Sequence, residues 1–172
     1  MKSLVLSASC LVLGVACLTG CATDYSWRSS VPEAARTVAV PTFRNESDVS
    51  EVGALASRQL LREFQREGTF KIRSAGDAAL EVQGVIKSVS PAMAAYNRRA
   101  GGRVAAYDLS ATAEISVIDK RRGKVLVDNR RYVANTTLTA GQDRTTAIRD
   151  ASGRLMDDLA RQVVDDILNL KW

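Results

Sequence analysis

The sequence predicts an α+β fold: two helices packed on one face of a mixed, mostly antiparallel four-stranded sheet, in the order β-α-β-β-β-α. Three observations carry this. Two stretches repeat apolar residues at helical spacing, one early and one at the end of the chain. Between them lies a strict apolar/polar alternation, and a glycine-containing turn joins it to a second extended run. Amphipathic helices and a meander each have one face to bury, and stacking them in two layers buries both.

In chain order, TVAVPTF at 37–43 is β-branched and apolar, with Pro41 marking a strand exit. Val52, Leu55, Ala56, Gln59, Leu60 and Phe64 then form one helical face, while Glu51, Arg58, Arg62, Glu63 and Arg66 fill the other. Gly68 stands where a C-cap glycine belongs, and an extended segment restarts at Phe70–Ile72. Residues 79–93 read as a strand with Gly84 as the candidate bulge. NRRAGGR at 97–103 has turn composition.

The alternation follows. Tyr107, Leu109, Ala111, Ala113, Ile115 and Val117 face a core; Asp108, Ser110, Thr112, Glu114 and Ser116 face water or a polar partner. DKRRGK at 119–124 is the hairpin turn, with Gly123 supplying positive φ, and residues 125–135 form a return strand of muddled alternation. Ile148, Ala151, Leu155, Leu159, Val163, Ile167 and Leu170 define the last helix, which Gly153 weakens by about 1 kcal/mol relative to alanine.

The start of the chain reads differently. An uncharged apolar run from Leu4 to Leu18 follows Lys2, as in a secretory leader. It is shorter than the ~20 apolar residues that span a bilayer. It closes on Leu18, Thr19, Gly20 and Cys21, which resembles a bacterial lipobox: small residues enter a peptidase cleft, and the thiol accepts a diacylglycerol. The expected organisation is a signal peptide at 1–20, a lipidated tether at 21–36 and one domain at 37–172. Cys10 and Cys17 leave with the leader, so Cys21 is the one cysteine of the expected mature chain and no intramolecular disulfide can form. Two or three acyl chains on Cys21 would anchor the protein durably, where one chain binds only marginally.

Composition excludes most catalysis. The chain has no histidine, the commonest general base and metal ligand. With Cys21 acylated, thiolate chemistry goes as well. No serine-nucleophile or phosphate-loop pattern appears. No enzyme, cofactor, metal site or nucleic-acid partner is expected. Loss of Lys2 with the leader lowers the formal charge from +5 to +4, a mildly basic balance.

The basic residues cluster in two turns: Arg98, Arg99 and Arg103 in one, Lys120, Arg121, Arg122 and Lys124 in the next. Consecutive turns of a meander lie at opposite ends of the sheet, so these are two patches. Arginine forks suit phosphates; charged turns also keep sheets from aggregating. Charge alone leaves both readings open.

Taken together, TVAVPTFRNES, LASRQLLREFQREGTFKI, RVAAYDLSATAEISVIDKRRGKVLVDNRRY and ASGRLMDDLARQVVDDIL, in this order after a lipidated cysteine, resemble the LptE family of lipopolysaccharide-assembly lipoproteins. The likeness runs from Cys21 to the end, with Ala22 where the family usually has glycine. The resemblance implies an outer-membrane lipoprotein that plugs an LptD-type β-barrel and assists lipopolysaccharide transport. It implies lipopolysaccharide binding at Arg98 and Arg99 with Arg103 adjacent. A second basic position before the last helix is matched only by Arg144. Ala22, rather than aspartate, suits sorting to the outer membrane. The βαβ opening is also similar to LpoB-type regulators and CsgG-type secretion lipoproteins. The former need a longer linker and the latter lipid-facing strands.

Overall fold

A computed structural model describes residues 31–92, 106–139 and 144–172. The α+β class and the two-layer packing hold, but the sheet has six strands, not four. They are β1 (Thr37–Ala39), β2 (Arg44–Asn45), β3 (Lys71–Ile72), β4 (Leu80–Ala92), β5 (Ala106–Asp119) and β6 (Lys124–Thr139). Helix α1 (Val52–Glu67) connects β2 to β3, and α2 (Arg144–Leu168) follows β6. The sheet order is β3-β1-β4-β5-β6, with β2 also paired to β4. Strands β1, β2 and β3 pair in parallel; β4, β5 and β6 form the antiparallel meander.

The split of the first strand has a local cause. Pro41 has no N–H to give a ladder, so the stretch expected as one strand at 37–43 breaks in two. The break is held from α1: the Ser57 hydroxyl accepts from Phe43 N–H at 2.7 Å and donates to the Pro41 carbonyl at 3.2 Å. The chain then rejoins β4, Arg44 beside Val85. β3 is the restart expected at 70–72, reduced to a two-residue edge.

Gly84 is not the bulge. The register of β4 against β5 shifts between Ile86 and Ser88, at Lys87, and the buried positions accordingly change phase, from Leu80, Val82 and Ile86 to Val89. Gly84 instead lies under Phe43: a Cβ there would stand 2.4 Å from the Phe43 ring. Gly53 plays the same part on α1, where a Cβ would stand 2.3 Å from the Phe43 carbonyl oxygen. Two absent side chains let this crossing of the chain sit between sheet and helix.

The muddled alternation of the return strand is resolved by two register shifts against β5, one on each side of Val117. At the first, Asn129 takes φ 41 and its backbone N–H donates to Ser116 Oγ at 3.0 Å. This moves Arg130 and Tyr132 to the helix side, where Val127 and Ala134 also pack. Arg130 pairs with Asp166 of α2 at 3.2 Å and lies 5.9 Å from the Tyr132 ring centre. Burial, then the neighbouring Asp166 carboxylate, pushes the Tyr132 phenol well above its ordinary range.

Both helices bury their apolar faces on the same side of the sheet. Val52, Ala56, Leu60 and Phe64 from α1 and Leu155, Met156, Val163 and Ile167 from α2 share one core with Leu109, Ala113, Ile115 and Val117 of β5. Gly68, at φ 85, caps α1, and Phe70 closes over its end with its ring edge-on to Phe64 at 5.2 Å. Glu63, placed by periodicity on the polar face, is buried and pairs with Arg66. No neighbour lies within 4 Å of the Cβ position at Gly153, so packing does not require glycine there.

Candidate functional site

The strand directions give the molecule two distinct ends. Leu80 pairs with Asp119 at one end of the β4–β5 ladder and Ala92 with Asp108 at the other. At about 3.3 Å per residue these ends lie roughly 40 Å apart. At the first end are the β5–β6 turn and the start of the described chain. At the second are the end of β4, the start of β5, the end of β6 and the starts of both helices.

At the first end, the basic turn is built into the fold. Asp119, buried, accepts the backbone N–H of Arg121 at 3.0 Å and of Arg122 at 3.1 Å. Gly123 has φ 62, the positive value that the turn requires. Lys120 reaches Glu81 at 3.4 Å and the Ala75 carbonyl. The Arg121 guanidinium donates to the Ala34 carbonyl at 2.9 Å, and Arg122 lies 3.7 Å from Asp119. These cations hold loops of their own chain, and the first end is a clamp on the incoming N-terminal segment. Val31 and Ala35 of that segment belong to the core, and Arg36 Nε donates to the Val31 carbonyl at 3.2 Å.

Arg98, Arg99 and Arg103 lie outside the described residues, as does Cys21 near the start of the chain. At the second end β4 stops at Ala92 and β5 begins at Ala106. Arg144 is the first residue of α2 at the same end. A cleft of about 950 Å³ opens there between the two helix starts and the end of β4. Val49, Leu55, Val89 and Ile148 supply its apolar lining; Arg58 and Arg149 stand on its rim. The amphipathic reading of α1 marked Arg58 only as part of a solvated face. Arg149 carried no signal at all, because nothing in the sequence shows that the two helix starts come side by side.

The outer face of the sheet is the other polar surface. Ladder partners share a face, so Ser90, Ser110 and Asn135 form one row, Ser88, Thr112 and Val133 the next, and Val85, Glu114 and Arg131 the third. No described element packs on it. The alternation that put Ser110, Glu114 and Ser116 away from the core is correct, whereas Thr112, expected beside them, is buried. One corner of the sheet is pinned by charge: Lys87 and Arg44 both pair with Glu46. The hydrogen bond from Lys87 holds the Glu46 carboxyl below its usual value, and Glu46 raises the Lys87 ammonium. This contact therefore favours the fold above the carboxylate range and is lost as pH falls through it.

Among the described residues no three His, Cys, Asp or Glu side chains gather as a metal site, and no helix is long and apolar enough to cross a membrane. What the described surface offers is a cleft, a charged end and a polar sheet face, the equipment of a binding module. The chain belongs to the LptE lipopolysaccharide-assembly family, whose model matches residues 35–167. No curated protein sequence matches the chain.

Solved structures share the fold at low identity. The hypothetical protein CT253 from Chlamydia trachomatis has a TM-score of 0.57 at 15% identity, covering 78% of this chain and 96% of its own. Protein XCC0632 from Xanthomonas campestris has a TM-score of 0.53 at 9% identity, covering 80% and 88%. A minor lipoprotein from Acinetobacter baumannii has a TM-score of 0.50 at 14% identity, covering 78% and 93%.

Proposed function

We propose that the protein is an outer-membrane lipoprotein, acylated at Cys21, that plugs and supports an LptD-type β-barrel and assists lipopolysaccharide transport and assembly at the outer membrane. The observation that carries this reading is the family match over residues 35–167. The two-ended topology supports it. The N-terminal segment is clamped at the end of the β5–β6 turn, and β4 stops and β5 begins at the other end, roughly 40 Å away. A lipid on Cys21 would hold the first end near the periplasmic leaflet, and Arg98, Arg99 and Arg103 are the residues proposed to take the phosphates of incoming lipopolysaccharide. The Ser/Thr-rich outer sheet face suits the polar interior of a barrel.

Affinity purification of the tagged full-length protein from detergent-solubilised membranes is expected to recover an outer-membrane β-barrel protein. Recovery of a peptidoglycan synthase in its place would instead identify a regulatory lipoprotein of the LpoB type.

A further inference from the structure

We propose that the outward face of α1 is a docking surface for an acidic segment of the protein partner, with Arg58 and Arg62 taking its carboxylates. The inference rests on the proposed function for the identity of that partner, an LptD-type barrel, and adds the face and the chemistry by which it is held.

The two helices of one layer dispose of their charges in opposite ways. On α2 the outward charges alternate in sign: Asp150 stands four residues before Arg154, Asp157 pairs with Arg161, and Asp165 follows Arg161 by four. Opposite charges one turn apart satisfy one another, which suits a helix face that meets water. On α1 the exposed residues are Arg58, Arg62, Gln65 and Arg66, with no acid among them. Both acids of this helix are engaged elsewhere. Glu63 is buried and pairs with Arg66, and Glu67 accepts from the backbone N–H and the hydroxyl of Thr69. Arg58 and Arg62 stand one turn apart, and neither forms an ion pair among the described residues, with Glu51 before the helix or with any acid of α2. Like charges at this spacing oppose the helix. Nothing among the described residues offsets that repulsion.

This composition fits a contact surface. Arginine is enriched where proteins meet, and lysine and the acids are depleted. A guanidinium fork grips a carboxylate with two parallel bonds. Leu55 and Leu61, half-buried on either side of the row, supply apolar contact.

The direction of the helix favours a protein over a membrane. α1 starts at the second end of the sheet and finishes before β3, whose Lys71 pairs with Thr37 at the first end. Arg58 to Arg66 spans about 12 Å along the axis that joins the ends. A leaflet held at the first end by a lipid on Cys21 would meet this row end-on, whereas a barrel wall enclosing the domain would lie along its side.

The test is recovery of the LptD-type barrel with the tagged full-length protein from solubilised membranes, compared among variants at equal expression. Arg58→Glu with Arg62→Glu should lower recovery at least tenfold, as loss of one charge-assisted contact would. Arg58→Glu alone should also lower it, yet leave the melting temperature unchanged or slightly raised, because a glutamate four residues before Arg62 replaces repulsion with attraction. A purely structural role would not separate the two readouts. Arg154→Glu on α2 should recover the barrel as the wild type does. Gln65→benzoylphenylalanine should cross-link to a barrel segment bearing Asp or Glu.

Undiminished recovery by the Arg58/Arg62 variant would overturn the inference and leave the functional reading intact. An equal loss in Arg154→Glu, or cross-links from position 65 to a barrel segment without acids, would do the same. If the double variant recovers the barrel normally but loses binding to phosphatidylglycerol vesicles, the face belongs to a membrane and the inference is wrong. If the wild type itself recovers no barrel, the functional reading fails and this inference with it.

Discussion

Valine in place of Gly84 is expected to destabilise the domain by about 3 kcal/mol, the upper end of the range for overpacking a filled core. A single added Cβ at this position would stand 2.4 Å from the Phe43 ring, and valine adds two methyl groups beyond it. The ring has nowhere to go: Phe43 is buried, and its backbone N–H is held by Ser57 at 2.7 Å. For a domain of this size the loss corresponds to a fall in Tm of roughly 10 °C, read by circular dichroism. Combining Gly84→Val with Phe43→Ala should cost less than the sum of the two single changes, because the new methyl groups occupy space the ring vacated. An additive double variant would show that the two residues do not meet. The crossing matters for function because the chain leaving it, residues 46–51, goes on to form one side of the cleft.

The second large effect concerns the ligand. Changing Arg98, Arg99 and Arg103 together to glutamate should weaken binding to immobilised lipopolysaccharide at least tenfold and reduce its salt dependence. Hydrogen bonds to charged groups contribute about 1.5–3 kcal/mol each, so losing even one is about a tenfold effect. Lys124→Glu is the control: it changes the exposed basic turn at the opposite end and should leave binding unaltered. Unchanged affinity in the triple variant would remove the assignment of these arginines.

The contrast between the two basic turns shows where sequence reasoning runs out. Composition marks both as arginine- and lysine-rich, and the meander places them at opposite ends. Only the fold shows that Lys120 and Arg121 are occupied by the Ala75 and Ala34 carbonyls. Those contacts join residues far apart in the chain, and no local pattern encodes them.

The same division runs through the architecture. Both helices and the long antiparallel strand were legible because each buries one face, which writes period 3.6 or 2 into the sequence. Departures from the expected fold occur where that period breaks. Pro41 splits a strand, Lys87 shifts a register and Asn129 reverses which residues of β6 meet α2. A bulge is set by pairing across strands, so Gly84, which looked like one, turned out to be room for an aromatic ring.

The cleft was illegible for a related reason. Val49, Leu55, Val89 and Ile148 each read as ordinary apolar positions of separate elements. Their convergence depends on two helices starting side by side at one end of the sheet, a consequence of topology rather than of any segment.

The measurement that bears most directly on the account is intact-mass analysis of the native protein recovered from separated membranes. A first residue at Cys21 bearing a thioether-linked diacylglycerol, in the outer-membrane fraction, is the predicted result. An unacylated N-terminus on a freely soluble periplasmic protein would contradict it.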